Sequence, residues 1–176
     1  TEANNLAIKG VARRFKRRGR HLITTKVEHP SVLYTCRALE QEGFQLTYLD
    51  VDADGLVTPE AVAEAVTEET ILVSIMHVNN EVGSIMPVAE IGSLIKQKNP
   101  RTLFHVDAVQ SFCKLSVRPQ AWQVDLMTVS AHKIHGPKGI GALYCREGVQ
   151  LAPLLHGGDQ EGGIRPGTEN MAGIAG

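Results

Sequence analysis

The chain has 176 residues, and its 18 basic and 19 acidic side chains leave a formal net charge of −1. This length suits one domain with a buried core. The near-neutral charge excludes a global attraction to nucleic acid or a membrane surface, and no apolar run approaches the roughly 20 residues of a membrane helix. The three widely spaced cysteines Cys36, Cys113 and Cys145 favour reduced structural thiols in a cytoplasmic protein over a disulfide framework.

The first predicted helix carries apolar positions from Leu6 to Phe15 and is closed by Gly19. A basic run over residues 13–20 lies at the end of this helical pattern and is one candidate nucleic-acid surface. Cations in the last turn of a helix also interact favourably with its dipole while they face water. We therefore favour a solvated helix end.

Short strands alternate with helices along the rest of the chain. The predicted strands cover residues 21–25, 44–49, 71–76, 102–106, 124–129 and 140–145. The predicted helices cover residues 30–43, 59–66 and 88–98, with Thr58 as an N-cap. This alternation predicts one α/β domain over residues 1–176, with three layers, α/β/α, around a mostly parallel sheet. The glycine-rich residues 157–167 are expected to form a loop that reaches a neighbour.

Polar side chains follow four of the predicted strands, where open α/β sheets bind their ligands. They are His29; His77, Asn79 and Asn80; Asp107 and Gln110; and Ser130, His132 and Lys133. Taken singly, most have ordinary explanations as caps, turns or surface residues. Lys133 is the exception, because a lysine directly after a buried strand is costly to desolvate unless its amine is paired or used in chemistry.

Lysine, aspartate and histidine together are what a pyridoxal 5'-phosphate (PLP) site requires. The amine forms a Schiff base, the carboxylate keeps the pyridine nitrogen protonated, and a flat side chain lies against the ring. Thr1 at the start of the first helix, with Ser130 and His132, could bind the phosphate. Thr1 can also be a plain N-cap, and the two roles can coexist.

A metal site is the competing interpretation. His132 with His135, and His105 with Asp107, have residue types that bind zinc. The spacing lacks a close third ligand and leaves Lys133 unexplained, so we favour the PLP site. The loop over residues 136–141 matches neither the Walker A nor the dinucleotide-binding pattern.

Several long motifs in the same order give the sequence a specific resemblance. They cover residues 1–10, 28–32, 73–83, 105–111, 130–141 and 165–170. The chain resembles the cysteine desulfurases of the class V, fold-type I PLP enzymes, which are close to the selenocysteine lyases. The fold that this resemblance implies is the large domain of the PLP-dependent transferases.

The resemblance assigns roles position by position. It makes Lys133 the Schiff-base lysine, Asp107 the partner of the pyridine nitrogen, and His29 the side chain that stacks on the ring and moves protons. Gln110 and Asn80 would lie near the phenolic oxygen and the substrate. The residues implied to bind the phosphate are Thr1, Ser130 and His132, with Thr168 reaching the site of the other subunit in a homodimer.

The implied reaction converts L-cysteine to L-alanine, with the sulfur passed on as an enzyme persulfide for iron–sulfur clusters and thiolated tRNA. The implied partners are L-cysteine, a second subunit and a sulfur-acceptor or scaffold protein.

The parts that family members normally have before Thr1 and after Gly176 include the catalytic cysteine and the arginine for the substrate carboxylate, so we expect residues 1–176 alone to be inactive. Asp159 also stands where the family usually has glycine. The alternatives are a selenocysteine lyase, another class V enzyme, or a non-catalytic module with the PLP fold.

Overall fold

A computed structural model describes residues 1–176. Its six strands form a single sheet in the order β2-β1-β3-β4-β5-β6. The strands are β1 His21–Thr25, β2 Gln45–Leu49, β3 Thr70–Met76, β4 Leu103–Asp107, β5 Leu126–Ser130 and β6 Gly141–Cys145. The helices are α1 Glu2–Phe15, α2 Pro30–Gln41, α3 Pro59–Ala65, α4 Val88–Lys98 and α5 Met171–Ala175. Two short 3₁₀ segments span Ala131–Ile134 and Gln160–Gly163.

Helices cover both faces of the sheet. One core lies between the sheet and the pair α1 and α2, and includes Ile8, Leu22 and Leu72. The other lies beneath α3 and α4, and includes Ile23, Ile75 and Phe104. Every residue of β3 is buried, as expected for a central strand covered on both faces. The predicted three-layer α/β/α fold is confirmed.

Strand direction departs from a fully parallel sheet at one edge. Strands β1 to β5 pair in parallel, whereas β6 pairs antiparallel to β5. The connection from β5 to β6 contains only a short 3₁₀ helix, too little chain to return to the opposite end of the sheet. Parallel pairing requires such a crossover, so β6 runs back beside β5.

The order of the first three strands creates a crevice. Strand β1 lies between β2 and β3. The chain therefore passes from β1 to β2 on one side, and β3 and β4 follow on the other side of β1. Ligands in open α/β sheets bind at the carboxyl ends of the strands where the order reverses in this way. The segments after Thr25 and Met76 flank this position.

The end of β4 differs from the prediction. This strand runs to Asp107, one residue further than expected, because the Asp107 carbonyl accepts a hydrogen bond from His77 N–H at 2.9 Å. Asp107 pairs with Met76 on one side and Thr128 on the other. The carboxylate therefore stands on a rigid central strand rather than in a loop.

Two basic residues at the end of α1 contact side chains of this same domain. Arg13 forms an ion pair of 3.9 Å with Glu42, and Arg18 lies over the Phe15 ring, 4.5 Å from its centroid. No helix of the structure is both long and apolar enough to cross a membrane.

Candidate cofactor site

Parallel strands bring most of the predicted site residues to one edge of the sheet. His29 follows β1, Asn80 follows β3, Asp107 ends β4, and Lys133 follows β5. Gln110 lies in the turns after Asp107, while Ser130 ends β5 and His132 lies beside Lys133. This arrangement is the one expected from the positions of these residues in the sequence.

Asp107 is a buried carboxylate, 5% exposed, that faces neutral hydrogen-bond donors. Its Oδ2 accepts from Asn4 Nδ2 at 2.8 Å, and its Oδ1 accepts from Val109 N–H at 3.0 Å. It takes part in no ion pair. A buried carboxylate without a cationic partner is costly unless a charged group completes the site.

His29 begins helix α2 as its N-cap. Its Nδ1 accepts a hydrogen bond from Ser31 N–H at 3.1 Å and lies 2.8 Å from Ser31 Oγ. Pro30 at the first helical position suits the start of a helix, because its fixed φ is helical and it lacks an N–H that would have no partner there. Nε2, on the other side of the ring, forms no hydrogen bond within the chain.

Lys133 lies in the 3₁₀ helix Ala131–Ile134, directly after β5. It is half-buried and forms no ion pair, whereas Lys138 in the next loop is exposed. The helix ends at His135, which adopts the left-handed conformation with φ of 69°. Ser130 Oγ lies 2.8 Å from His132 Nδ1, so these two predicted phosphate ligands contact each other.

Thr1 stands at the N-terminus of α1, whose first turn contacts Asp107 through Asn4. Thr1 is the N-cap residue of α1, but its side chain makes no capping hydrogen bond, so its hydroxyl is free. A cavity of about 350 Å³ lies beside it, between α1 and α2, and is lined in part by His29 and Ser31. The N-terminus of a helix with free N–H groups is suited to phosphate.

No hydrogen bond connects Thr168 to the other predicted site residues. It is exposed, in a segment that approaches the start of α1 through the ion pair of Arg165 with Glu2 at 2.8 Å. This ion pair lowers the pKa of Glu2. The role of Thr168 toward a second subunit stays a prediction.

Sequence reasoning missed three residues of this edge: Asn4, Ser31 and Glu28. Asn4 is 2% exposed and Glu28 is 4% exposed. Asn4 precedes Ala7, Ile8 and Val11 on the buried stripe of α1. A polar residue on an apolar stripe must find hydrogen-bond partners when it is buried, and that pattern could have identified it.

Glu28 connects the ends of β1 and β3. Its Oε1 accepts from Thr25 Oγ1 at 2.8 Å and from Met76 N–H at 2.9 Å, while Oε2 is buried without a partner. Burial raises its pKa to about 8; the hydrogen bonds from Met76 and Thr25 oppose this shift, and the charge of Asp107 adds to it. Glu28 is therefore largely protonated at neutral pH.

His105 belongs to a buried polar row rather than to a metal site. Its Nδ1 lies 2.8 Å from Ser74 Oγ and its Nε2 lies 3.0 Å from Thr128 Oγ1, so both ring nitrogens are used. Burial lowers its pKa to about 4, although Asp107 acts in the opposite direction. No group of three histidine, cysteine, aspartate or glutamate side chains is placed to hold a metal ion.

Together the three-layer fold and the polar carboxyl edge define a protein of the PLP-transferase type. The family model for aminotransferase class V matches residues 1–176, and the chain belongs to that family. Enzymes of this family depend on PLP.

The relatives narrow this class. The chain is 52% identical to cysteine desulfurase IscS of Clostridium botulinum over 176 residues, covering all of this chain and 44% of that protein. It is also 52% identical to a putative cysteine desulfurase, IscS 1, of Bacillus subtilis, covering all of this chain and 46% of that protein. The chain thus spans less than half the length of these relatives.

Solved structures with the same fold include two that are similar to this chain in sequence. A NifS-like protein superposes with a TM-score of 0.95 at 48% identity, over 98% of this chain and 47% of the other. SspA in complex with cysteine superposes with a TM-score of 0.94 at 46% identity, over 98% of this chain and 50% of the other.

The residues present fit PLP. Asp107 supplies a buried carboxylate whose bonded donors are all neutral, which suits a protonated pyridine nitrogen. Lys133 supplies an amine free of ion pairs, and Thr1 supplies an unbonded hydroxyl at a helix N-terminus.

Proposed function

We propose that residues 1–176 form the cofactor-binding large domain of a PLP-dependent cysteine desulfurase. The observation that carries this proposal is the buried Asp107 carboxylate, without a cationic partner, at the same sheet edge as Lys133 and His29. The names of the relatives, cysteine desulfurase IscS, support cysteine as the substrate.

Each residue of this edge has a defined task in the proposal. When bound, PLP supplies an electron sink for the substrate. The Lys133 amine would hold the cofactor, Asp107 would keep a hydrogen on the ring nitrogen, and His29 would lie against the ring. Gln110 and Asn80 would lie near the phenolic oxygen and the substrate. The proposed phosphate ligands are Thr1, Ser130 and His132, joined by Thr168 of a second subunit in a homodimer.

The proposed reaction consumes L-cysteine and an enzyme thiol. The carbon–sulfur bond of the substrate breaks, a sulfur–sulfur bond to the thiol forms, and the products are L-alanine and a persulfide. That persulfide sulfur passes to an acceptor or scaffold protein for iron–sulfur clusters and thiolated tRNA. We place this work in the cytoplasm, because the three cysteines are all free thiols.

None of the three thiols in residues 1–176 suits the role of nucleophile. Burial raises the pKa of Cys36 to about 12, with Glu28 and Glu40 adding to it, and burial also raises the pKa of Cys145. Cys113 is exposed in the turns after β4, and the resemblance to the cysteine desulfurases places the catalytic cysteine beyond residue 176. A reactive cysteine needs its thiolate, so we assign that role to a residue outside this segment.

The test is product analysis in a protein that spans the full length of the relatives. With L-cysteine, PLP and a reductant, we expect sulfide and alanine in equal amounts, and loss of both in Lys133→Ala. Sulfide without alanine would contradict the proposal, because free PLP and thiols decompose cysteine by elimination.

One alternative has its own supporting observation. The lack of a suitable thiol in residues 1–176 also fits a non-catalytic module that binds the cofactor. Equal amounts of alanine and sulfide exclude that alternative. Parallel assays with L-selenocysteine separate a selenocysteine lyase from a desulfurase by the ratio of the two kcat/KM values.

A further inference from the structure

A single buried amide contacts two of the elements that form the candidate site. Asn4 Nδ2, in the first turn of α1, donates to Asp107 Oδ2 on β4 and to Ser31 Oγ on α2, each at 2.8 Å. The orientation of the amide follows from chemistry: a carboxylate oxygen only accepts, so the nitrogen of Asn4 must face it. The Asn4 oxygen is left buried without a partner.

The hydrogen bonds continue in a defined direction from Ser31 to His29. Because Asn4 donates to Ser31 Oγ, the Ser31 hydroxyl hydrogen is available for His29 Nδ1, 2.8 Å away. The Ser31 backbone N–H points to the same nitrogen at 3.1 Å, and a backbone N–H can only donate. His29 Nδ1 therefore carries a lone pair, and the ring hydrogen lies on Nε2.

The surroundings of His29 reinforce this tautomer. A hydrogen on Nδ1 would displace both Ser31 donors and remove the N-cap of α2. With Nδ1 as the acceptor, the ring presents an N–H, rather than a lone pair, at its free Nε2 edge.

We propose that Asn4 and Ser31 are positioning residues that link Asp107 to His29, so that one hydrogen-bonded chain sets both the carboxylate and the imidazole tautomer. The inference rests on the proposed function in so far as Asp107 and His29 are the groups that meet the cofactor. Neither Asn4 nor Ser31 touches the reacting atoms in this proposal. Each acts through the residue that it holds.

The first test needs no cofactor, which separates it from the proposed function. Nitrogen NMR of the chain with ¹⁵N-labelled histidine reports the state of each ring nitrogen of His29. We expect the Nε2–H tautomer in the wild type. We also expect Asn4→Ala to shift the Nδ1 signal, although Asn4 does not touch His29. A wild type with the hydrogen on Nδ1, or an Nδ1 signal unchanged in Asn4→Ala, would overturn the proposal.

A matched control separates the chain of hydrogen bonds from general loss of packing. Asn99 is also buried, and its amide bonds the Thr67 carbonyl at 3.0 Å and Arg101 N–H at 3.1 Å, at the opposite edge of the sheet. Asn99→Ala should leave the His29 signals unchanged. If Asn4→Ala does not fold, Asp107→Asn tests the same series of hydrogen bonds from its other end with a side chain of the same size. An unchanged His29 Nδ1 signal in Asp107→Asn would overturn the proposal.

The second test uses the cofactor-loaded, longer protein. Asn4→Ala should change the absorption band of bound PLP and lower kcat by roughly 10- to 100-fold, the size of effect seen when a group that orients a metal ligand is lost. KM should change less. If Asn4→Ala keeps the PLP absorption spectrum and the kcat of the wild type, the positioning role is contradicted. If the wild-type protein gives no PLP spectrum while the NMR result holds, the proposed function fails and the hydrogen-bonded chain stands.

Discussion

Glu28 and Met76 join two neighbouring strands at the point where the order of the sheet reverses. The Glu28 carboxyl accepts the Met76 N–H at 2.9 Å, and the same oxygen accepts the Thr25 hydroxyl at 2.8 Å. The residue that follows Glu28 is His29, the N-cap of α2. The position of His29 is therefore set by a buried carboxyl group that ties β1 to β3.

This carboxyl group makes stability depend on pH. The pKa of Glu28 is raised to about 8, chiefly by burial, so between the ordinary glutamate value and pH 8 the folded chain holds a proton that the unfolded chain has lost. Stability from this group is full below the unfolded pKa and falls as pH rises toward 8. Glu28→Gln keeps a neutral group of the same shape.

We expect Glu28→Gln to match the wild type near pH 4.5 and to exceed it in stability at pH 8 by on the order of 1–3 kcal/mol. Urea unfolding midpoints across this range measure the difference. Glu64→Gln on the exposed face of α3 is the control and should show no such trend. Parallel pH profiles for Glu28→Gln and the wild type would contradict the assignment.

Lys133 is expected to carry the cofactor. Borohydride reduction of the PLP-loaded protein should leave a pyridoxyl group on Lys133, because this residue is half-buried after β5 and forms no ion pair. Peptide mass mapping locates the adduct. Lys138, exposed five positions further on, is the matched comparison, and an adduct on Lys138 alone would make the assignment wrong.

Asp107 is expected to matter more for chemistry than for cofactor retention. In the longer protein, Asp107→Ala should lower kcat by roughly 10²- to 10⁴-fold, the usual range for a group that controls a proton. PLP binding should weaken less, because the amine and the phosphate ligands remain. Turnover assays and cofactor titration measure the two effects, and near-normal turnover would refute the role of Asp107.

Asp125 holds a buried ionic cluster at the amino-terminal edge of the sheet, away from the site. Its carboxylate bonds Lys96 at 2.6 Å, Arg146 at 2.7 Å and Phe104 N–H at 2.8 Å. We expect Asp125→Ala to cost about 3–5 kcal/mol, because Lys96, only 17% exposed, loses its carboxylate partner and the buried Phe104 N–H loses its acceptor. Asp50→Ala, which breaks the exposed pair with Lys26, should cost less than about 1 kcal/mol. Chemical denaturation of both variants tests the contrast; equal losses would contradict it.

Residues 1–176 by themselves are expected to bind PLP without producing alanine and sulfide from L-cysteine. Cys36 is buried, Cys145 Sγ contacts the Val149 carbonyl, and Cys113 does not stand where the resemblance places the catalytic cysteine. Product analysis after incubation with L-cysteine, PLP and a reductant tests this. Equal alanine and sulfide, abolished by Lys133→Ala, would require one of these thiols to act as the nucleophile.

The sequence by itself determined the succession of elements and the edge at which the chemistry collects. Alternation of strands and helices predicts a mostly parallel sheet, and parallel strands end on the same side, so the sequence alone assigns Asp107 and Lys133 to one edge. The sequence also predicted a helix boundary where the local signal was strong. Thr58, the predicted N-cap, accepts a hydrogen bond from Ala61 N–H at 3.2 Å at the start of α3.

Only the tertiary structure decided which side chains support these groups. Asn4 meets Asp107 across 103 positions of the chain, and Glu28 meets Met76 across 48. No local pattern encodes such a pair, because it depends on how α1 and β1 pack against the central strands. The antiparallel direction of β6 and the raised pKa of Glu28 have the same origin: both follow from which neighbours surround a residue after folding.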